Sequence, residues 1–248
     1  MKRLSRQSRP TLTFVAAIPL GVLIALANGS TRALPGRRLH LGCGVDVVPG
    51  WVNIDKSPSV LLSRAPSLRK ALGRVGLLTP EQARGFPPGA VRADVSKRIP
   101  AADASAEFAY SSHMIEHLSR WQALAFFREC RRVLRPGGVL RLATPDLEEM
   151  IRDYGHNRSP LLAEQPTRAD AFCAEYGAYS DPPGLVRRLV KKWLGGDSHQ
   201  WLYDAESLTF LLRESGFAEV TRWSYRKGTV PDLDLVEHRE RSLFVEAY

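Results

Sequence analysis

The chain has 248 residues, of which 44% are hydrophobic and 25% are charged. This composition is typical of a globular protein and excludes a disordered, collagen-like or coiled-coil chain. A chain of this length forms one large domain or two small ones and buries enough apolar surface to need no covalent or metal staple. Its three cysteines include no CxxC pair, which argues against a disulfide framework or structural zinc and favours a reducing compartment. We therefore expect no metal site.

The net charge of +9 is concentrated at the amino terminus. Residues 1–38 contain seven basic residues and no acidic residue, which leaves a net +2 for residues 39–248. A protein that binds nucleic acid presents a broad basic surface to the phosphates. The charge distribution therefore argues against a nucleic-acid partner.

An uncharged apolar segment covers residues 12–27 and is interrupted by Pro19 and Gly21. A helix of that length spans about 24 Å, which is short of the roughly 30 Å hydrocarbon core of a membrane. Three interpretations stay open: a nonpolar helix packed on the domain, a membrane-associated segment, or an export signal with a small-residue cleavage site. We treat residues 1–30 as a separate segment and residues 31–248 as the main domain.

After Arg38 the chain alternates short apolar strands with helices. The strands are expected at residues 38–41, 51–55, 91–95, 107–112, 139–143, 218–225 and 242–247. Because helices separate most of them, we predict an α/β fold with a parallel sheet covered on both faces. The last two strands lie close enough in sequence to pair antiparallel.

Three helix starts carry a capping signal. Ser119 is followed three residues later by Gln122, and Asp146 is followed in the same way by Glu149. This spacing predicts a capping box at the start of each helix. Asp204 is the expected N-cap of a third helix, which Gly216 ends.

Two long connections interrupt this alternation, at residues 57–90 and 151–199. Both exceed the usual length of a connection, and we expect them to cover the carboxyl edge of the sheet. The second contains apolar and basic residues alternating in pairs over residues 185–194, which predicts a cationic amphipathic helix. Its basic face is either solvated or contacts a membrane surface or an acidic substrate.

The clearest chemical signal is a glycine pair directly after the first strand. Gly42, Cys43 and Gly44 form a G-x-G turn, and Asp55 ends the next strand. Glycine amides approach a ligand without interference from a Cβ, and a carboxylate at that strand end binds both hydroxyls of a ribose. Only six residues separate Gly44 from Trp51, which is too short for a crossover helix. A pyrophosphate would then lack a helix amino terminus, which argues against NAD and nucleoside triphosphates.

Several motifs together resemble S-adenosylmethionine-dependent methyltransferases, most closely the group often found with glycan and cell-envelope enzymes. The motifs are LHLGCG (39–44), GWVNID (50–55), SSHMIEHL (111–118), RVLRPGG (132–138), ATPDL (143–147), HQWLYD (199–204) and LRESGF (212–217). The resemblance covers about residues 37–248. It implies a doubly wound, mostly parallel, seven-stranded Rossmann-like sheet whose last strand pair is antiparallel.

The same resemblance implies roles for individual residues. Gly42, Cys43 and Gly44 would line the methionine and ribose moieties of S-adenosylmethionine, and Asp55 would hold the ribose hydroxyls. Asp94 would face the adenine amino group. Ser112 or His113 would lie beside the cofactor at the tip of the fourth strand.

Two histidines are candidates for a general base toward a sugar hydroxyl, His113 and His199. The acceptor is expected to be a small molecule, a glycan or a lipid-linked compound. A non-catalytic nucleoside-binding or membrane-tethered scaffold with the same fold is the alternative. S-adenosylmethionine is a cytoplasmic cofactor, and we therefore expect a cytoplasmic domain that rests on the membrane through its amino-terminal segment. The sequence does not predict an oligomeric state.

Overall fold

The computed structural model describes residues 37–248 apart from positions 58, 63, 64, 77, 79–82, 84–88, 160, 162, 166 and 176–198. The apolar segment 12–27 and the predicted amphipathic helix 185–194 lie outside the described residues. The division into residues 1–30 and 31–248 therefore stays a prediction. Within the described part of the chain, no helix is long and apolar enough to cross a membrane.

Seven strands form one sheet. They are β1 (Arg38–Leu41), β2 (Val52–Asp55), β3 (Ala90–Arg92), β4 (Ala106–Ser112), β5 (Leu134–Thr144), β6 (Val220–Trp223) and β7 (Leu243–Ala247). Their order in the sheet is β3-β2-β1-β4-β5-β7-β6. Neighbours among β1 to β5 pair parallel, whereas β7 pairs antiparallel with both β5 and β6. The predicted mostly parallel sheet with an antiparallel last pair is confirmed.

Seven helices connect or follow these strands in the described part of the chain. They are α1 (Ser59–Leu62), α2 (Pro66–Arg74), α3 (Arg120–Val133), α4 (Leu147–His156), α5 (Arg168–Glu175), α6 (Ala205–Glu214) and α7 (Leu233–Val236). A single 3-10 turn covers Ile115–His117. The first long connection thus contains α1 and α2, and the second contains most of α4 and all of α5.

Two of the three helix starts form as predicted. The Ser119 hydroxyl accepts from the Gln122 N–H and the Gln122 side chain accepts from the Ser119 N–H, which completes the capping box of α3. Asp204 caps α6: its carboxylate accepts from the Ser207 N–H, and its own N–H donates to the Ser207 hydroxyl. Each such cap satisfies backbone donors that a helix start otherwise leaves unpaired.

The capping box predicted for α4 is wrong. Asp146 is the N-cap, but its carboxylate accepts from the N–H of Glu148. The Glu149 side chain turns away from the cap because it forms an ion pair with Arg241 at 3.0 Å. A contact distant in sequence therefore replaces the local one.

The third strand is shorter than predicted. It ends at Arg92, and the Ala93 N–H makes one further bond to the Asp55 carbonyl at 3.1 Å. The chain then turns at Asp94, whose carboxylate accepts from the Ser96 hydroxyl at 2.6 Å. Val95, which the pattern placed in the strand, is buried in this turn.

Each face of the sheet has its own apolar cluster. The larger one joins residues of β1, β4, β5 and β7 to α3 and α6, with Phe126 and Leu212 fully buried. The smaller one contains Tyr110 from β4 together with Leu233 and Val236 from α7. Ala109 and Tyr110 lie in different clusters, as the alternation of side chains along a strand requires. The sheet edge at the carboxyl ends of the parallel strands is left for polar side chains.

A fully buried arginine holds the antiparallel end of the sheet. The Arg141 guanidinium donates to Glu237 at 2.8 Å and lies 3.5 Å from the Glu246 carboxylate. It also donates to the carbonyls of Lys227 and Ser224. Burial of a charge is costly unless it is paired, and here one cation faces two carboxylates.

We predict that Arg141→Ala lowers the free energy of unfolding by about 3–5 kcal/mol, because it leaves two buried carboxylates without their cation. Arg128→Ala is the matched control, since Arg128 is exposed on α3, and should change stability by less than about 0.5 kcal/mol. Urea unfolding followed by circular dichroism measures both. Equal losses for the two variants would contradict the structural role of Arg141.

Candidate functional site

A cavity of about 280 Å³ lies at the carboxyl ends of β1 and β4. Its walls come from three parts of the chain: the end of β1 with the turn after it, the tip of β4, and the end of α7 with the segment that follows it. They are lined by His40, Gly42, Cys43, Gly44, Val45, Asp46, Ser112, His113, Val236, His238 and Arg239. The carboxyl edge of a parallel sheet is where α/β proteins bind ligands.

The glycine turn is fixed to the end of β2. The N–H groups of Gly42 and Cys43 both donate to the Ile54 carbonyl, at 2.8 and 3.1 Å. Gly42 has a φ of +71°, and a Cβ added to it would lie 2.5 Å from Cγ of Met114. Gly44 has a φ of +53° and meets nothing within 4 Å at the position of an added Cβ. The first glycine is therefore required by packing, whereas the second leaves open space for a ligand.

Cys43 is buried beside this space, and its thiol is free. Burial raises the pKa of the Cys43 thiol, with a further contribution from the nearby Asp55 carboxylate. The thiol is therefore neutral, and neutral thiols are poor nucleophiles. Cys43 acts as a small wall residue.

Asp55 does not line the cavity itself, but it is hydrogen-bonded to Gly44, which does. Its carboxylate accepts from the N–H of Gly44 at 2.9 Å and from the N–H of Ser57 at 2.7 Å. Burial raises the pKa of Asp55, and these two backbone donors oppose that rise. The carboxylate thus shapes the glycine turn and retains lone pairs for other donors.

The structure does not bring Asp94 to this cavity. Its carboxylate accepts from the Ser96 hydroxyl and lies 3.5 Å from the Lys97 ammonium, so it forms the turn after β3. Its assignment to the adenine amino group stays a prediction.

Ser112 and His113 both line the cavity at the tip of β4. The N–H of His113 donates to the Ala143 carbonyl at 2.8 Å, and His113 has a φ of +48°. This left-handed conformation is uncommon for a residue other than glycine and is found preferentially at functional sites. The structure thus holds the imidazole at the cavity by fixing its backbone.

Both ring nitrogens of His113 have neighbours. Nε2 lies 2.9 Å from the Ser242 hydroxyl, and Nδ1 lies 3.2 Å from Oε1 of the buried Glu116. Burial by itself would raise the pKa of Glu116, but His113 and His117 outweigh it and the pKa is lowered. Glu116 is therefore an ionised carboxylate that orients His113, an arrangement known from histidines that act as bases.

His199 lies outside the cavity, among a different group of side chains. Its ring is 5.0 Å from the ring of His117, and Glu116 lies close enough to interact with it electrostatically. Burial lowers the pKa of His199, which keeps its imidazole neutral near pH 7. Of the two histidines predicted as alternative bases, His113 lines the cavity and His199 does not.

Sequence reasoning missed the contribution of residues 236–242. Val236, His238 and Arg239 line the cavity, and Ser242 contacts His113. The sequence signal was available as a polar run, HRER, directly before the last strand. It was uninformative because only the pairing of β7 with β5 brings this run to the carboxyl edge.

Comparisons with known proteins agree with this geometry. Residues 39–142 match the family model of the methyltransferase domain. A Mycolicibacterium smegmatis protein named as a probable S-adenosylmethionine-dependent methyltransferase is 46% identical over 48 residues. That match covers 19% of this chain and 18% of the relative, so the chain corresponds to less than a fifth of that protein's length. The family model covers 104 of the 248 residues, which is less than half of the chain.

Similar solved structures include the CMeT domain of the citrinin polyketide synthase, with 17% identity and a TM-score of 0.44 over 92% of this chain and 49% of the other. A SAM-dependent methyltransferase from Archaeoglobus fulgidus has 13% identity and a TM-score of 0.44 over 92% of this chain and 90% of the other. Likenesses at this level carry no functional argument.

We predict that Gly42→Ala destabilises the protein more than Gly50→Ala. Both residues have positive φ, at +71° and +79°, and each substitution should cost about 1–2 kcal/mol for that reason. Only the Cβ at position 42 collides with Met114, which should add about 1–3 kcal/mol. Urea unfolding of both variants measures the difference.

Repeating Gly42→Ala in a Met114→Ala background isolates the effect of the collision with the Met114 side chain. Substitutions of residues in contact change the free energy of unfolding non-additively. The glycine substitution should cost less in that background. An unchanged cost would show that the close approach to Met114 is not the reason for glycine at position 42.

Proposed function

We propose that the protein is an S-adenosylmethionine-dependent methyltransferase. The observation that carries the proposal is the turn Gly42–Gly44, closed onto Asp55 at the carboxyl ends of β1 and β2 and facing a cavity. The match of residues 39–142 to the methyltransferase domain supports it, since that stretch contains the turn, Asp55 and His113.

The residues present fit the cofactor. The open space at Gly44 lets the backbone approach a ligand closely, as a Cβ-free cradle does. Asp55 would accept hydrogen bonds from the ribose hydroxyls, and Cys43 would pack against the nucleoside. We further propose that Arg239, which lines the same cavity, pairs with the methionine carboxylate.

When bound, S-adenosylmethionine supplies an activated methyl group for in-line displacement by an acceptor atom. The protein's contribution is then mainly to hold donor and acceptor in line and to exclude water. Ser112 and His113 would border the space in front of the methyl group. His113, oriented by Glu116, would take the proton from an acceptor hydroxyl as the new bond forms.

For the acceptor we propose a small molecule, a glycan or a lipid-linked compound. The motif resemblance to enzymes that accompany glycan and cell-envelope synthesis supports the glycan class. We propose a cytoplasmic domain that contacts the membrane surface through residues 12–27, because a basic and apolar start suits an anionic interface.

We predict that Asp55→Ala weakens binding of S-adenosylmethionine about tenfold or more, as loss of hydrogen bonds to a charged group costs about 1.5–3 kcal/mol. Titration calorimetry on the full chain measures the affinity. Asp103→Ala is the matched control, since the Asp103 side chain is 76% exposed and does not line the cavity. Unchanged affinity in the Asp55 variant would contradict the proposed contact between Asp55 and the ribose.

Two further titrations test the function itself. S-adenosylhomocysteine should bind as S-adenosylmethionine does, whereas NAD should not, because no helix amino terminus follows the glycine turn. Transfer of labelled methyl groups to a cell-envelope extract then separates an enzyme from a nucleoside-binding scaffold. Cofactor binding without any transfer would favour the scaffold.

A further inference from the structure

A second cluster of polar side chains lies next to the cavity and has no role in the proposed cofactor contacts. Glu116, His117 and His199 each offer one ligand atom, and these three atoms all lie within 4.8 Å of one another. Glu116 is fully buried, and both histidines are partly buried. Two imidazoles and one carboxylate at such spacing form a common ligand set for divalent transition metals.

Both imidazoles of this cluster have a ring nitrogen without a hydrogen-bond partner in the described part of the chain. Nδ1 of His117 and Nδ1 of His199 are buried and have no hydrogen-bond partner within the described part of the chain. Glu116 Oε1 makes no aligned hydrogen bond there either, its polar neighbour being His113 at 3.2 Å. Buried polar atoms nearly always have partners, and the two unpartnered imidazole nitrogens in one cluster point to a missing ligand.

The backbone is organised to bring His199 to the other two residues. The N–H groups of Gln200 and Trp201 donate to the Glu116 carbonyl at 2.7 and 3.2 Å. The Gln200 side chain also donates to the His117 carbonyl at 2.9 Å. These bonds join chain segments more than eighty residues apart, so the approach of His199 to His117 is built into the fold.

We propose that Glu116, His117 and His199 bind one divalent transition-metal ion, with Zn²⁺ as the best-suited metal. Imidazole nitrogen favours zinc and its neighbours, whereas Ca²⁺ and Mg²⁺ require several oxygen ligands and this cluster supplies oxygen from one carboxylate only. Metal–ligand bonds of about 2.0–2.2 Å require the three ligand atoms to lie somewhat closer to one another than they do in the structure. The two partly buried imidazoles supply that movement by small rotations.

The site adjoins the cavity through Glu116, whose carboxylate also faces His113. Three protein ligands leave at least one coordination position for an oxygen atom. If the methyltransferase assignment holds, on which this step rests, that position takes an oxygen of the acceptor and so selects acceptors with a metal-binding hydroxyl or carboxylate group.

Metal binding is measured directly on the untagged full chain. After treatment with a chelator, the protein should bind Zn²⁺ in a 1:1 ratio by titration calorimetry, and Co²⁺ should give visible d–d absorption. His199→Asn and His117→Asn should each weaken Zn²⁺ binding at least 10- to 100-fold, the range that loss of an outer-shell partner already produces. Glu116→Gln should act in the same direction.

His156→Asn is the matched control, because His156 is exposed at the end of α4 and contacts only the Arg152 carbonyl among the bonds of the described residues. This variant should retain full Zn²⁺ affinity. Failure of the wild type to bind, or equal affinities in the His199 and His156 variants, would overturn the proposal. Circular dichroism checks that the His199 variant is folded, which the partial exposure of this residue favours.

Cofactor binding is tested separately on the chelated wild type. Zn²⁺ binding without binding of S-adenosylmethionine would leave the metal site standing and remove the proposed function. The reverse result would remove the metal site alone.

Discussion

Glu116 is a carboxylate with no exposed surface, and the arrangement of the carboxyl edge depends on how its charge is compensated. Removing an ionised carboxylate from water is costly unless charged or hydrogen-bonding groups surround it. Here His113 and His117 supply that compensation, and the Glu116 carbonyl accepts two N–H groups from residues 200 and 201. One short 3-10 turn thus fixes the positions of three histidines from two distant parts of the sequence.

This constraint divides the carboxyl edge into two halves. On one side, β1 and β2 hold the glycine turn and Asp55, which suit a nucleoside. On the other side, the segment directly after β4 holds His113 and Glu116, and Glu116 lies beside His199. The two halves touch where Met114 packs against Gly42, and a side chain at position 42 would push them apart. In the proposed reaction, a methyl donor bound to the first half and a methyl acceptor bound to the second would therefore meet beside His113.

Much of the fold was predictable because its signals are local. Strand and helix order follow from apolar periodicity, and the caps at Ser119 and Asp204 follow from the preference of short polar side chains for helix starts. The α4 cap failed because Glu149 is drawn to Arg241, a partner far away in sequence. The length of β3 was overestimated because the turn at Asp94 depends on side-chain bonds that periodicity does not register.

The candidate site divides in the same way. The sequence by itself determined the succession of strands and helices along the chain, the glycine turn and the carboxylate at the end of β2, since each depends on residues adjacent in the chain. Only the tertiary structure decided that His113 lines the cavity while His199 joins Glu116 and His117, and that residues 236–242 close the cavity. The physical reason is that these contacts depend on bonds between segments far apart in the chain. The antiparallel pairing of β7 with β5 places residues 236–242, and the backbone bonds of residues 200 and 201 to Glu116 place His199. Periodicity and local motifs in the sequence do not register such bonds.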